Sequence, residues 1–127
     1  MNVNKKMIKV AILGASNNPQ RYSYQANKLL KSHGYQVFLV NPFHNEIDGE
    51  LCLSSINQLP DDIHTLTVYV NPNSTFEMID LLENFNPKRI ILNPGASSQE
   101  LSRELTNRNI TFIEACTLVM LNTGQFE

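Results

Sequence analysis

The segment that follows the first apolar run of the sequence carries residue types suited to binding a phosphate group. Gly14, Ala15 and Ser16 are small, so the backbone there can come close to an anion. Arg21 and Ser23 stand where a helix is expected to begin, and a guanidinium and a hydroxyl add donors for the same anion. The predicted phosphate-binding loop comprises Gly14, Ala15, Ser16, Asn17, Arg21, Tyr22 and Ser23.

This loop lacks two features of a nicotinamide dinucleotide site. The fingerprint Gly-x-Gly-x-x-Gly would place glycines where Ser16 and Pro19 stand. Such sites also carry an acidic residue after the second strand to bind the ribose, and Asn41 occupies that position here. The sequence therefore favours a phosphate-containing ligand other than NAD.

Asparagine followed by proline is a recurrent dipeptide of this chain, since five of the six prolines come after an Asn. Three of these pairs directly follow apolar runs: Asn41-Pro42, Asn71-Pro72 and Asn93-Pro94. Proline keeps the preceding residue extended, and an Asn amide offers both a donor and an acceptor. The three pairs predict an uncharged rim around a ligand, while ordinary turn chemistry is the alternative explanation.

Short apolar runs alternate with amphipathic segments, and this order predicts an α/β fold. Strands are expected at residues 8–13, 36–40, 66–70, 89–92 and 110–113. Helices are expected at 24–33 and 73–85, from residue 97 onward, and in a short turn at 117–121. Residues 42–62 read as irregular, with a brief strand at most near residues 51–53.

The alternation predicts one domain, residues 1–127, with a Rossmann-like, doubly wound architecture of three layers. Its sheet is expected to be mainly parallel and five-stranded, with helices on both faces. In such a sheet the ligand binds beyond the carboxyl ends of the strands. All the candidate loops above fall at that end.

Composition and charge exclude several classes of function. Ten Lys and Arg residues against twelve Asp and Glu give a formal charge of −2, which leaves no basic surplus for nucleic acid. Two cysteines without a Cys-x-x-Cys pair and three scattered histidines predict neither a disulfide framework nor a metal centre. No apolar run approaches the roughly 18 residues of a membrane helix. We therefore expect a cytoplasmic protein that binds a small molecule and neither membrane nor nucleic acid.

Residues 10–24, 34–42 and 49–52 resemble the small stand-alone CoA-binding domain proteins. That family shares its Rossmann-like fold with the N-terminal domain of the succinyl-CoA synthetase α subunit. The resemblance covers residues 7–126 and is most specific in Gly-Ala-Ser-x-x-Pro-x-Arg-Tyr-Ser-Tyr, followed by Val-Asn-Pro at residues 40–42. It implies a protein that holds CoA or an acyl-CoA, with no catalysis of its own evident.

The resemblance also implies which residues contact each part of CoA. Those at the pyrophosphate are Gly14, Ala15, Ser16, Arg21 and Ser23. Those at the adenosine are Asn41, Pro42, Val70, Asn71 and Pro72. Those towards the pantetheine arm are Gly95, Ala115 and Cys116.

The chain departs from the family pattern at two places. Residues 91–95 stand where many relatives have a Trp-Leu-Gln-x-Gly sequence. The synthetase subunit has a Lys in the loop after its second strand, whereas residues 43–48 contain neither Lys nor Arg. Since CoA differs from ADP chiefly by its 3′-phosphate and its thiol arm, the choice between them rests on the resemblance.

Some individual side chains keep an alternative role. Tyr22 and Tyr24 either stack on an adenine or cover the start of the helix. Arg21 either pairs with a phosphate or lies on the surface, with Ser23 as a helix cap. Cys116 either faces the thiol of CoA or packs as an inert residue.

Two other functions stay open for the whole chain. One is a nucleotide-dependent enzyme or CoA-ligase-like subunit that binds NAD(P) or ADP and needs a partner chain. The other is a sensor or scaffold that responds to adenine nucleotides. For the assembly of the chain, the sequence leaves a homo-oligomer and a complex with a partner enzyme open as alternatives.

Overall fold

The five predicted apolar runs all form strands, and these lie side by side in one sheet of the computed structural model, which describes residues 8–127. The strands are β1 (Lys9–Leu13), β2 (Gln36–Val40), β3 (Glu46–Ile47), β4 (Glu50–Leu53), β5 (Thr65–Val68), β6 (Arg89–Leu92) and β7 (Phe112–Glu114). The helices are α1 (Tyr22–Ser32), α2 (Pro72–Glu77), α3 (Ile79–Phe85), α4 (Gln99–Asn107) and α5 (Thr117–Asn122), with a 3-10 turn at Ile56–Gln58.

The prediction of five strands is wrong, because the sheet has seven, in the order β3-β4-β2-β1-β5-β6-β7. Strands β3 and β4 form a short antiparallel hairpin inside the segment that was expected to be irregular, and β4 corresponds to the brief strand expected near residues 51–53. Its turn consists of Asp48 and Gly49, both with positive φ (52° and 80°), which suits a tight hairpin turn. Because β4 pairs with β2 in parallel, the hairpin extends the sheet at one edge.

The strand order reverses at the centre of the sheet. From β1 the chain first moves outward through β2 to β4, and it then returns to the other side of β1 with β5, β6 and β7. All pairs except β3–β4 are parallel. The loops after β1 and β5 therefore diverge at a topological switch point, where a sheet of this kind opens a crevice for ligands.

The two faces of the sheet are covered by different helices. Val10 and Ile12 of β1 pack with Leu30 of α1 and Leu121 of α5. Ala11 and Leu13 point to the opposite face and pack with residues of α3 and α4, namely Leu82, Leu101 and Leu105. This alternation gives the chain two apolar cores and three layers.

Three helix starts differ by a residue or more from the sequence pattern, and α1 begins at Tyr22 rather than at residue 24. The helix expected at 73–85 begins at Pro72, because the Asn71 side chain accepts a hydrogen bond from the Ser74 amide at 2.9 Å. It is also interrupted at Met78, where φ of −104° and ψ of 18° separate α2 from α3. In α4 the capping hydroxyl belongs to Ser98, which accepts from the Leu101 amide at 3.1 Å.

A clasp formed by Phe126, Tyr35 and Arg89 closes the end of the sheet opposite the predicted site. The ring of Phe126 is buried and meets the Tyr35 ring edge-on, with 5.1 Å between centroids. The Arg89 guanidinium lies 4.5 Å from the Phe126 ring centroid and donates to the Phe126 carbonyl oxygen at 2.5 Å.

Across residues 8–127, no helix is both long and apolar enough to span a membrane.

Asn27 of α1 has a buried side-chain amide that lacks hydrogen-bond partners among residues 8–127. Its side chain is 1% exposed, and neither its nitrogen nor its oxygen is hydrogen-bonded within residues 8–127. An unsatisfied buried polar group costs about 1–3 kcal/mol. We expect Asn27→Leu, of similar size, to raise the free energy of unfolding by about that amount in urea denaturation.

The matched control is Asn107→Leu, which makes the same change at an exposed position of α4. We expect it to alter the free energy of unfolding by about 0.5 kcal/mol or less. A loss of stability in Asn27→Leu would show that the amide is satisfied after all.

Candidate functional site

A cleft of about 530 Å³ opens at the carboxyl ends of the strands, at the switch point of the sheet. It lies between the loop after β1 and the residues that follow β2, β5 and β6. Its lining consists of Gly14, Ala15, Ser16, Gln20, Arg21, Tyr22, Ser23, Asn41, Tyr69, Val70 and Pro94.

The loop after β1 is bound to the end of β2 by its backbone. The amides of Gly14 and Ala15 both donate to the Val40 carbonyl oxygen, at 3.0 and 3.2 Å. The Asn41 side chain donates in return to the Ala15 carbonyl oxygen at 2.7 Å. These bonds hold the predicted phosphate-binding loop in a fixed position at the mouth of the cleft.

The start of α1 offers hydrogen-bond donors that no side chain caps. Arg21 is the N-cap residue of α1 and has an extended backbone, but its side chain makes no capping hydrogen bond to the helix. In α4, by contrast, the Ser98 side chain provides such a cap. Arg21, Tyr22 and Ser23 all line the cleft, so the first amides of an eleven-residue helix lie at its wall. The Arg21 guanidinium makes no ion pair with any residue from 8 to 127. Free helix amides beside an unpaired guanidinium have the chemistry that anion binding requires.

The Asn residues of the Asn-Pro pairs use their amides to fix the ends of strands. Asn41 accepts from the Phe43 amide at 2.8 Å, and Asn71 caps α2. Asn93 is 2% exposed and donates to the Thr67 hydroxyl at 2.7 Å and to the Val68 carbonyl oxygen at 2.9 Å. The alternative explanation, turn chemistry, therefore accounts for these side chains.

Asn93 also belongs to a buried polar network below the cleft. Its side-chain oxygen accepts from the Thr117 amide at 2.9 Å, and the hydroxyls of Thr67 and Thr117 are 2.8 Å apart. Tyr69 lies next to this network. Burial raises the pKa of the Tyr69 hydroxyl, and hydrogen bonding with Thr67 and Thr117 partly opposes that rise. The network joins β5, β6 and the start of α5.

The structure brings together much of the predicted site, though not all of it. The cleft contains Gly14, Ala15, Ser16, Arg21, Tyr22, Ser23, Asn41 and Val70. Asn93 and Cys116 line an adjoining pocket of about 220 Å³, which meets the cleft at Pro94. The predicted residues outside both linings are Asn17, Pro42, Asn71, Pro72 and Gly95.

Two lining residues were not predicted from the sequence, Gln20 and Tyr69, whereas Pro94 belongs to the predicted Asn93-Pro94 pair. Tyr69 lies in the apolar run 66–70, which was assigned entirely to a strand. Because β5 ends at Val68, Tyr69 belongs to the strand exit and turns towards the cleft. Its position directly before Val70 and Asn71 was the available signal.

The β3–β4 hairpin neutralises the lysines of α1. The Asp48 carboxylate lies 3.1 Å from the Lys28 ammonium and accepts from the Tyr24 hydroxyl at 2.5 Å. The Tyr24 hydrogen bond and then Lys28 hold the pKa of Asp48 below its usual value. Lys31 pairs with Glu50. Of the two tyrosines that had alternative roles, Tyr24 is engaged by the hairpin, while Tyr22 is 62% exposed at the cleft.

Metal ligands are not clustered in this part of the chain. Within residues 8–127, no three His, Cys, Asp or Glu side chains stand close enough together to hold a metal ion.

The sequence from residue 9 to 122 matches the family model described as a CoA binding domain. The chain belongs to this family. An ADP-forming acetate–CoA ligase of Methanocaldococcus jannaschii is 39% identical over 64 residues, which are 50% of this chain and 9% of the ligase. The α subunit of ADP-forming acetate–CoA ligase II of Pyrococcus furiosus is 31% identical over 62 residues, 48% of this chain and 14% of that subunit.

The fold of this CoA-binding domain also occurs as a separate chain. The crystal structure of an uncharacterised protein superposes with a TM-score of 0.82 at 35% sequence identity and covers 94% of this chain and 98% of that chain. The ligases are much longer than the segment that they share with this chain.

Gly14 is the residue on which the shape of the cleft depends most directly. Its φ is +91°, and a Cβ added there would lie 3.0 Å from the Val70 Cγ1 and 3.4 Å from the Tyr69 carbonyl carbon. We expect Gly14→Ala to destabilise the fold by about 1–2 kcal/mol through backbone strain. The contact with Val70 adds roughly 1–3 kcal/mol more.

Gly34→Ala is the matched control, because Gly34 has the same φ of +91° but no atom within 4 Å of an added Cβ. Chemical denaturation of both variants separates backbone strain from the close approach at Val70. Equal losses of stability would contradict the importance of that approach.

Proposed function

We propose that this domain binds CoA or an acyl-CoA across the carboxyl ends of its strands, with the pyrophosphate at the start of α1. The observation that carries the proposal is the uncapped helix start beside the unpaired guanidinium of Arg21. Membership of the CoA-binding domain family supports the identity of the ligand.

The donors at the helix start fit the chemistry of a pyrophosphate. The Ser16 hydroxyl oxygen accepts from the Asn18 amide at 3.0 Å, so its proton stays available to a phosphate oxygen. Ser23 is buried at the wall of the cleft and adds a second hydroxyl. Together with Arg21 and the helix amides, these groups neutralise and orient a doubly charged diphosphate.

The adjoining pocket suits a narrow, uncharged chain such as the pantetheine arm. Its lining combines small or apolar groups, namely Leu92, Pro94, Ala115 and Cys116, with the polar side chains of Asn93 and Ser97 and the carboxylate of Glu114. A ligand whose pyrophosphate occupies the cleft would enter this pocket past Pro94. We propose that the thiol of CoA, which carries an acyl group when loaded, lies on this side of the sheet.

The lining of the cleft favours binding over chemistry. Arg21 is its single charged side chain, and it contains neither a carboxylate nor a histidine to move a proton. Residues of the cleft therefore bind and orient the pyrophosphate, whereas the adjoining pocket, where the acyl group is proposed to lie, contains the Glu114 carboxylate and the Cys116 thiol.

We expect Arg21→Ala to weaken CoA binding by about 1.5–3 kcal/mol, the usual range for a hydrogen bond to a charged group. Stability should change little, because the Arg21 side chain takes no part in capping α1. Isothermal titration calorimetry with CoA, acetyl-CoA, NAD and ADP measures both the affinity and the choice of ligand.

The control is Arg103→Ala, which removes an exposed guanidinium from α4, away from the cleft lining. It should leave the affinity for CoA unchanged. Equal binding of CoA by the unaltered chain and Arg21→Ala would remove Arg21 from the site. A thermal shift with ADP and NAD but none with CoA would overturn the proposed ligand.

A second candidate function is that of a CoA-binding subunit which works with a partner chain. It is favoured by the two acetate–CoA ligase relatives, of which the matched segments cover only 9% and 14%. We expect native purification in the presence of CoA to recover a defined complex with a chain of acyl-CoA ligase type. Recovery of this chain alone, or bound only to itself, would contradict the subunit hypothesis.

A further inference from the structure

Phe43 is an exposed aromatic residue at the ligand-binding end of the sheet. Its side chain is 87% exposed, more than any other large apolar residue from 8 to 127. It lies on the turn after β2, two residues beyond Asn41, which lines the cleft. An aromatic face left in water at this place is available to cover a flat apolar group of a ligand.

The backbone of Phe43 is fixed relative to the phosphate-binding loop. The Phe43 amide donates to the side-chain oxygen of Asn41 at 2.8 Å. The nitrogen of the same side chain donates to the Ala15 carbonyl oxygen at 2.7 Å. A single amide group thus sets the distance between the Phe43 turn and the loop where the pyrophosphate is proposed to bind.

The charges on this side of the cleft do not favour a further phosphate. Residues 43–48 contain no Lys or Arg and include the carboxylates of Glu46 and Asp48. Of the nearby cations on α1, Lys28 is paired with Asp48, and Lys31 with Glu50. A phosphate beyond the end of β2 therefore meets no unpaired Lys or Arg from residues 43–48 or from Lys28 and Lys31, and His44 is the one side chain of residues 43–48 that can become cationic.

We propose that Phe43 forms the stacking surface for the adenine of the bound nucleotide, and that the 3′-phosphate of CoA contributes little to affinity. The inference rests on the proposed function, which puts the pyrophosphate at α1. Dinucleotide-binding sheets hold the ribose at the end of the second strand, which directs the base towards the turn that carries Phe43. Stacking on an aromatic ring supplies binding there without a cation.

Calorimetry with four ligands at pH 8, where imidazoles are neutral, tests this inference. Phe43→Ala should bind CoA, 3′-dephospho-CoA and ADP about tenfold more weakly than the unaltered chain, while its affinity for inorganic pyrophosphate stays the same. The unaltered chain should bind CoA and 3′-dephospho-CoA within about threefold of each other. Leu51→Ala, at an apolar position of β4 that is 74% exposed, is the control and should bind every ligand normally.

A fluorescence measurement gives a second readout, because the chain contains no Trp. In Phe43→Trp the new indole should be quenched when CoA or ADP binds and should stay unquenched with inorganic pyrophosphate. Leu51→Trp should respond to none of them.

The outcomes separate this inference from the proposed function. If CoA binds the unaltered chain and Phe43→Ala equally well, and the indole of Phe43→Trp does not respond, stacking at Phe43 is wrong. If the unaltered chain binds CoA ten times more tightly than 3′-dephospho-CoA, the 3′-phosphate is recognised and the inference is overturned. If the unaltered chain does not bind CoA, the proposed function fails, and the inference fails with it.

Discussion

The turn at the end of β1 is the constraint from which the rest of the site follows. Strand β1 lies between β2 and β5, so the chain has to leave the sheet through a narrow gap between two other strand ends. Gly14 meets this requirement with a φ of +91° and a close approach to Val70. Its amide and that of Ala15 then share the Val40 carbonyl oxygen, which aims the following residues at the start of α1. The geometry of the proposed anion-binding loop is thus a consequence of how the central strand ends.

Asparagine is the residue that stabilises these strand exits. At each exit a neutral amide can accept from one backbone group and donate to another, as Asn41 does between Ala15 and Phe43 and Asn93 does between Val68 and Thr117. Proline in the next position holds the Asn extended. This accounts for the repeated Asn-Pro pairs in a chain with only 17% charged residues. Because neutral amides fix these loops, Arg21 is the one charged side chain in the lining of the cleft.

The sequence predicts the parts of this molecule that depend on local patterns. Buried strands such as β1 and β6 are visible as apolar runs, and the small residues from Gly14 to Ser16 indicate a phosphate-binding loop. Of the β3–β4 hairpin, only a brief strand near residues 51–53 was expected, because two- and four-residue strands leave hardly any periodic signal. The Asp48-Gly49 pair is nevertheless typical of a hairpin turn. The contribution of Tyr69 was missed because it depends on β5 ending at Val68, which tertiary pairing with β1 and β6 decides.

The two ends of the sheet carry out different tasks, and the positions of the cations show this division. At the amino ends of the strands, Arg89 is committed to the Phe126 ring and carbonyl group, and Lys9 to Asp62. On the surface formed by α3 and α4, Arg108 lies between Asp80, Glu83 and Glu104. These cations hold elements of the protein together. Arg21 differs because it lies at the carboxyl ends and has no ion-pair partner within residues 8–127. Arg103 shares that lack of a partner, but Arg21 lines the cleft beside uncapped helix amides, which is the environment that an anionic ligand requires.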